Sequence, residues 1–306
     1  MWFIIIVLLG WNTGLWAQDF SFLSEHAPQT VLEVDQLYSP DRELENNDRS
    51  KLHFSNLALG HTIKEGKNAL TVGGRYQKLN LSGDNSRLND YANIQGSLGY
   101  RRMMENGHFW FMSASYGSAS DRPFKNSKDG TIGLNYIQKF SPRWYGVLNY
   151  SNNRTFLNNI PLPGFFWVKE MSRDKGLIIG FPFIYWMTPL SSNWTIRYMG
   201  LMPWNHRLRL LYTKHKFLRP YFAFEQAPLS YFRHDRENVD DRFFWFERRI
   251  GLGLEGGFSR NLRFDLMAGV AFDRQLYEAE NFNESKKFLL NLESGYFLGF
   301  NLKYSH

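Results

Sequence analysis

From Leu290 to Tyr304 the side chains alternate in character with a period of two. One face reads Leu290, Leu292, Ser294, Tyr296, Leu298, Phe300, Leu302, Tyr304; the other reads Asn291, Glu293, Gly295, Phe297, Gly299, Asn301, Lys303. Successive side chains of a strand point to opposite faces, so the pattern predicts a strand with one apolar and one mostly polar wall. It is longer than the roughly 5–6 residues usual in a globular sheet. The pattern recurs: Ala92, Ile94, Leu98 and Tyr100 alternate with Asn93, Gln95, Ser97, Gly99 and Arg101. Trp110, Met112, Ala114 and Tyr116 oppose serines and Gly117, and Ile132, Leu134 and Tyr136 oppose Thr131, Gly133, Asn135 and Lys139. Ile250, Leu252 and Leu254 oppose Arg249, Gly251, Gly253 and Glu255. Leu262, Phe264, Leu266, Ala268, Val270 and Phe272 oppose Arg263, Asp265, Gly269 and Asp273. Ile137, Met267 and Ala271 are the exceptions.

The polar faces are rich in Gly, Ser, Asn and charges of both signs, and the apolar faces carry aromatics towards strand ends (Tyr100, Tyr116, Phe272, Tyr304). Both features favour an inside-out arrangement over a secreted sandwich. Short turn signals at Glu65-Gly66-Lys67, Glu105-Asn106-Gly107, Ser141-Pro142-Arg143 and Gly256-Gly257 alternate with longer polar stretches at 82–89, 119–130, 152–163, 233–242 and 275–287. Short turns at one end and long loops at the other is how outer-membrane barrels connect their strands. The expectation is an all-β fold: a transmembrane, antiparallel, up-and-down β-barrel of 14 strands. That count starts the first strand at Thr30 and makes 152–175 a single outer loop. Merging weak strands in the middle third gives 12, because Pro182, Pro189, Pro203 and Pro220 interrupt a ladder there.

The 306 residues hold no cysteine, which removes disulfides, thiolate metal sites and a cysteine nucleophile. A mean hydropathy of −0.43 argues against a polytopic helical membrane protein. The apolar block at 2–9, with Ala17 behind it, reads as a signal peptide over 1–17, leaving 18–306 as one barrel domain. The block is far short of the roughly 20 residues that span a bilayer. The longest later apolar run, 176–187, is also too short and contains Pro182. If this exported chain enters a membrane, closed β-structure is what satisfies its backbone.

Three stretches, GLIIGFPF at 176–183, FFWFERRIGLGLE at 243–255 and GVAFDR at 269–274, resemble an uncharacterised outer-membrane β-barrel family whose members carry "GxPF" and late "GYxFDR" segments. The resemblance runs from Pro161 to the C-terminus and departs at Val270, where the pattern has an aromatic. It implies a barrel of a Gram-negative envelope, in contact with outer-membrane lipids and lipopolysaccharide and inserted by the barrel-assembly machinery. It assigns no activity to any residue.

His53-Phe54-Ser55-Asn56 is similar to the His-x-Ser-Asn of outer-membrane phospholipases, with Leu57 where they have glycine. On a strand His53 and Ser55 share a face, as a base and nucleophile must. The favoured reading is a polar pair on the lumen face, and no enzyme is expected. His234-Asp235-Arg236-Glu237 with Asp240 and Asp241 has oxygen ligands for a divalent cation, but charged outer loops are commonly just solvated. No cofactor motif is present. The net charge of +7 is scattered rather than clustered, which argues against a nucleic-acid partner. The candidate lumen lining is Arg101, Lys139, Arg249, Arg263 and Lys303 with Glu255, Asp265, Asp273 and Glu293. Two roles follow: a small diffusion channel with a mild anion preference, or a non-conducting barrel acting as scaffold, adhesin or receptor. Oligomeric state is left open by these residues.

Overall fold

A computed structural model describes residues 29–306 except 44–48, 84–88, 155–156, 172–174, 202–203, 216, 227 and 283–285. The expected signal peptide at 1–17 lies outside the described residues, as does Pro203.

The chain is a single antiparallel sheet. Its segments are β1 (Thr30–Glu43), β2 (Arg49–Glu65), β3 (Asn68–Gly83), β4 (Tyr91–Met103), β5 (Phe109–Ser120), β6 (Gly130–Lys139), β7 (Trp144–Ser151), β8 (Leu162–Met171) and β9 (Gly176–Phe181). There follow β10 (Phe183–Pro189), β11 (Trp194–Leu201), β12 (Asn205–Tyr212), β13 (Leu218–Gln226), β14 (Leu229–Tyr231), β15 (Arg242–Gly257), β16 (Leu262–Ala279), β17 (Phe288–Leu292) and β18 (Gly295–Ser305). β13 and β14 both pair with β15, and β17 and β18 both pair with β16, so each couple is one interrupted strand. Sixteen strands therefore stand around the axis. β1 closes the ring on β18, from Val31 opposite Ser305 to Tyr38 opposite Leu298. An even count returns the chain to the end where it began, and Thr30 N–H donates to His306 O at 2.9 Å.

The count of 14 (or 12) is thus corrected to 16. The reason is local. Part of the stretch read as one outer loop, Leu162–Met171, is β8, and it turns Phe166 and Val168 inward. The prolines do not break the ladder: Pro182 occupies the connection between β9 and β10, and Pro189 ends β10.

Connections at the end holding both termini run from two residues (Gly66-Lys67) to five (104–108). Gly66 and Gly107 adopt φ of 56° and 74° there, a left-handed backbone that a side chain disfavours. At the other end the longest connections, 152–161 and 232–241, have ten residues each.

The apolar faces look outward. Leu252 and Leu298 are 69% and 56% exposed, while their neighbours Gly251 and Phe297 are buried. Along β15 the outward series Ile250, Leu252, Leu254 and Gly256 continues to the exposed Phe258. That is about 26 Å of strand, or about 20 Å along the membrane normal at a tilt of ~40°, close to the apolar band of such barrels. The closed wall and this belt place the protein in the outer membrane.

One part of the periodicity is corrected. Leu290 and Leu292 do not share the outward face of Leu298: Leu292 is buried and Leu290 packs against the interior cluster. Asp273 on β16 adopts φ 48°, at a shift in the β15–β16 register. Beyond it the inward positions of β16 change from odd (Met267, Ala271) to even (Arg274, Leu276). The break at Glu293-Ser294 lets the partner strand change phase with it.

If the belt faces hydrocarbon, Leu252→Arg should lower stability in lipid vesicles by about 2–4 kcal/mol, measured by urea unfolding. A soluble protein would tolerate that change at so exposed a site.

Candidate functional site

The interior is where this barrel differs from a water-filled pore. Tyr91 on β4 stacks on Phe243 of β15, with ring centroids 4.5 Å apart and planes at 10°, and touches Tyr231 at 5.3 Å. Phe54 of β2 meets Trp245 at 5.8 Å. Neither β2 nor β4 is a sheet neighbour of β15, so these contacts cross the lumen. They belong to a cluster that includes Leu37, Leu79, Leu229 and Leu276. A second cluster, with Phe109, Phe111, Ile137, Tyr145 and Phe166, lines the wall from β5 to β10. The barrel is drawn together until opposite walls touch.

Below the aromatic contacts lies a buried ionic network. Arg209 of β12 bonds Asp265 at 2.5 Å, Glu225 at 3.2 Å and Glu255 at 3.4 Å, with its guanidinium 4.2 Å above the Tyr221 ring. Arg197 holds both oxygens of Glu255 at 3.1 and 3.2 Å, and Arg219 reaches the same carboxylate at 3.0 Å. Arg207 bonds Glu225 at 2.9 Å, and the Tyr221 hydroxyl donates to Asp265. Gly253 makes room for this tyrosine, since a Cβ there would overlap its ring. Higher up, Glu247 is shared by Arg249 and Arg274 and accepts from the Trp245 indole at 3.2 Å. On the opposite wall amides take over. Asn93 donates to Gln77 at 3.0 Å, Gln95 to Ser115 at 2.9 Å, and Asn135 to Ser113 at 3.2 Å. The space they border, about 20 Å³, holds roughly one water.

Of the residues read from sequence as lumen-lining, Arg101, Arg249 and Glu255 are buried, and Lys139, Asp265 and Lys303 are half-buried. The structure brings Glu255 and Asp265 together around Arg209. Arg263, Asp273 and Glu293 are exposed. Asp273 pairs at 3.0 Å with Arg248, which lies on the outward side of β15 with Ile250. The pattern missed Arg197, Arg207, Arg209, Arg219, Glu225, Glu247 and Arg274. For two of these a signal existed, in the alternation Arg207-Leu208-Arg209-Leu210. For Glu247 there was none. It directly follows the run Phe243-Phe244-Trp245-Phe246, apolar on both sides because the interior cluster covers one face and Phe282 and Trp204 cover the other.

His53 and Ser55 are not on the lumen face. Leu52, Phe54 and Asn56 point inward, leaving His53 and Ser55 on the outward side with Leu57. Both bond the Gln36 side-chain oxygen, at 2.8 and 2.9 Å. Ser55 thus donates its proton to an amide rather than to the imidazole, which is not the arrangement of a nucleophile and its base.

The loop 232–241 folds over the mouth. His234 bonds Asp121 at 2.6 Å, Arg236 reaches Asp129 at 2.5 Å, and Lys287 holds Asp241 at 2.6 Å. Asp121, Asp129 and Asp241 are thus already bonded within the protein, and no group of three potential metal ligands occurs among the described residues. Partial burial pushes the Asp235 carboxyl up, but the Arg233 guanidinium, bonded at 2.8 and 3.0 Å, outweighs it and holds the carboxyl below its ordinary range.

No family model matches the chain, and no curated protein does. Among solved structures it is similar to an outer-membrane channel of Pseudomonas putida F1, with 9% identity over 92% of this chain and 96% of that one and a TM-score of 0.39. It is similar to Omp33 of Acinetobacter baumannii, with 9% identity, coverage of 92% and 99%, and a TM-score of 0.39. It is also similar to the toluene transporter TodX of P. putida, with 9% identity, coverage of 91% and 90%, and a TM-score of 0.38. Scores this low fix neither a family nor a substrate.

Two outcomes test the site. Glu255→Ala leaves three arginines without their shared carboxylate and should cost about 3–5 kcal/mol in vesicle unfolding. Because the Asp235 pKa is lowered on folding, its contribution is present above the unfolded value near 4 and fades as pH falls through the lower folded value. Pepsin cleavage within 232–241 should therefore rise only below about pH 4.

Proposed function

We propose that this protein is a small-solute channel of the outer membrane, closed in the described state by side chains of its own wall. The stacking of Tyr91 on Phe243 across the lumen carries this reading, because it belongs to a buried cluster with Phe54, Tyr231 and Trp245 that fills the space between the walls. The lining of such a path would be the charged set around Glu255 and Asp265 on one side and the amides from Gln77 to Asn149 on the other. Conduction requires the aromatic contacts to part. The ionic network beneath them then sets selectivity, and its arginines favour anions. The Ser55–Gln36 bond supports a non-enzymatic role for the outward polar pair. Removal of 1–17 on export, and insertion by the barrel-assembly machinery, belong to the same proposal.

The filled interior favours a second reading, a permanently shut barrel that works through its loops and outer wall. Planar-bilayer recording separates the two. The wild type should give rare, brief openings, and Tyr91→Ala with Trp245→Ala should give sustained steps. Sustained steps in the wild type would refute the closed state. Silence from both proteins would retire the channel and leave the shut barrel.

A further inference from the structure

The wall steps abruptly in height beside β12. β11 ends at Leu201 and β12 starts at Asn205, opposite each other and low in the wall, while β15 and β16 continue upward, and at this step the outer surface carries a cup of about 220 Å³. Its walls are aromatic. Trp204 packs on Phe282 at 4.9 Å, and Phe282 meets Phe246 at 5.3 Å and Tyr277 at 6.0 Å. These rings lie outside the barrel, because Phe246 shares the outward face of Ile250.

Two cations line the same cup. Arg248 donates to Gln226 at 3.0 Å and pairs with Asp273 at 3.0 Å. Lys286 sits 4.5 Å over the Tyr277 ring and bonds Gln275. With one carboxylate against two cations, the cup is net positive.

Its height follows from its neighbours. On β15 the next outward residue below Arg248 is Ile250, and on β13 the next below Gln226 is Phe224. Gln226 and Arg248 face each other in the ladder. The polar rim therefore begins one step above the apolar belt, where the headgroups of the outer leaflet lie.

From this we infer that the cup binds the phosphorylated sugar headgroup of lipid A, with phosphate on Arg248 and Lys286 and the sugar against the half-buried Trp204. The occupant is chosen by position and charge together. The cup is at the end of the long loops, which faces outward, and the outer leaflet of a Gram-negative envelope presents a phosphorylated glycolipid there. Its acyl chains would run down the face of Ile250, Leu252 and Phe222. Guanidinium and ammonium donors to phosphate are charge-assisted and outlast competition from water. The inference rests on the outer-membrane location and is independent of whether the lumen conducts.

Native mass spectrometry of the full-length barrel in a phosphate-free maltoside detergent tests it, with lipid A, dephosphorylated lipid A and phosphatidylglycerol as separate probes. The expected result is one lipid A per barrel, with binding weakened about tenfold or more by the double change Arg248→Gln and Lys286→Gln. Dephosphorylated lipid A should show a similar loss on the unaltered protein. If losing Arg248 from its pair with Asp273 prevents folding, Lys286→Gln alone, on a loop, keeps the test open and should still weaken binding severalfold. Equal binding by the altered and unaltered barrels overturns the site. Equal binding of phosphatidylglycerol overturns the choice of lipid A.

Discussion

A sheet in hydrocarbon has no water to satisfy an open edge, so the pairing of Thr30–Glu43 with Gly295–Ser305 is the contact on which the rest depends. Everything else is arranged around that seam. With the ring closed, β1 and β18 leave no open edge at the seam, and side chains divide between lipid and interior. The outward face changes character along a strand: towards the loop end Leu57 gives way to Ser55, Phe224 to Gln226 and Ile250 to Arg248.

Closure alone does not determine the inside. A ring of this many strands can hold a wide aqueous channel, yet here opposite walls meet. Aromatic rings supply contact area where Phe54, Tyr91, Phe243 and Trp245 converge, and paired charges fill the level below. The two solutions differ in what they tolerate. Rings can slide or part with modest loss, whereas an arginine deprived of its carboxylate is left charged in a dry place. In the proposed channel the ionic level is the frame and the aromatic level the part that has to move.

How much of this was legible in the sequence depended on whether one face of a strand met lipid and the other met polar groups. Where both held, as at Leu252–Glu255 or Ile94–Arg101, alternation gave the strand and its orientation. Ile137, Met267 and Ala271 looked like lapses in the pattern and are instead interior residues, part of the apolar filling. Around Phe243–Phe246 both faces are apolar for different reasons, so periodicity carries no orientation. Leu162–Met171 was lost because two prolines and a loop-like approach hid a ten-residue strand. The phase change at Asp273 could not be read at all: only a left-handed residue and an unpaired Glu293-Ser294 reveal it. The candidate site was half legible, through Glu255 and Asp265, since arginines on three other segments come together only once the ring closes.

The low stretch of wall at Gly176–Phe181 and Phe183–Pro189 has its own consequence. A six-residue strand rises about 20 Å along its own length and about 15 Å along the membrane normal, less than the hydrocarbon it borders. The hairpin tip at Phe181-Pro182-Phe183 then sits at a depth where an unmet N–H is expensive, and proline has none to leave unmet. Lipids beside this flank must shorten or the whole cylinder must lean. On this flank the wall is therefore shorter than on the side of β15 and β16, and the mismatch with the bilayer is confined to one side of the cylinder.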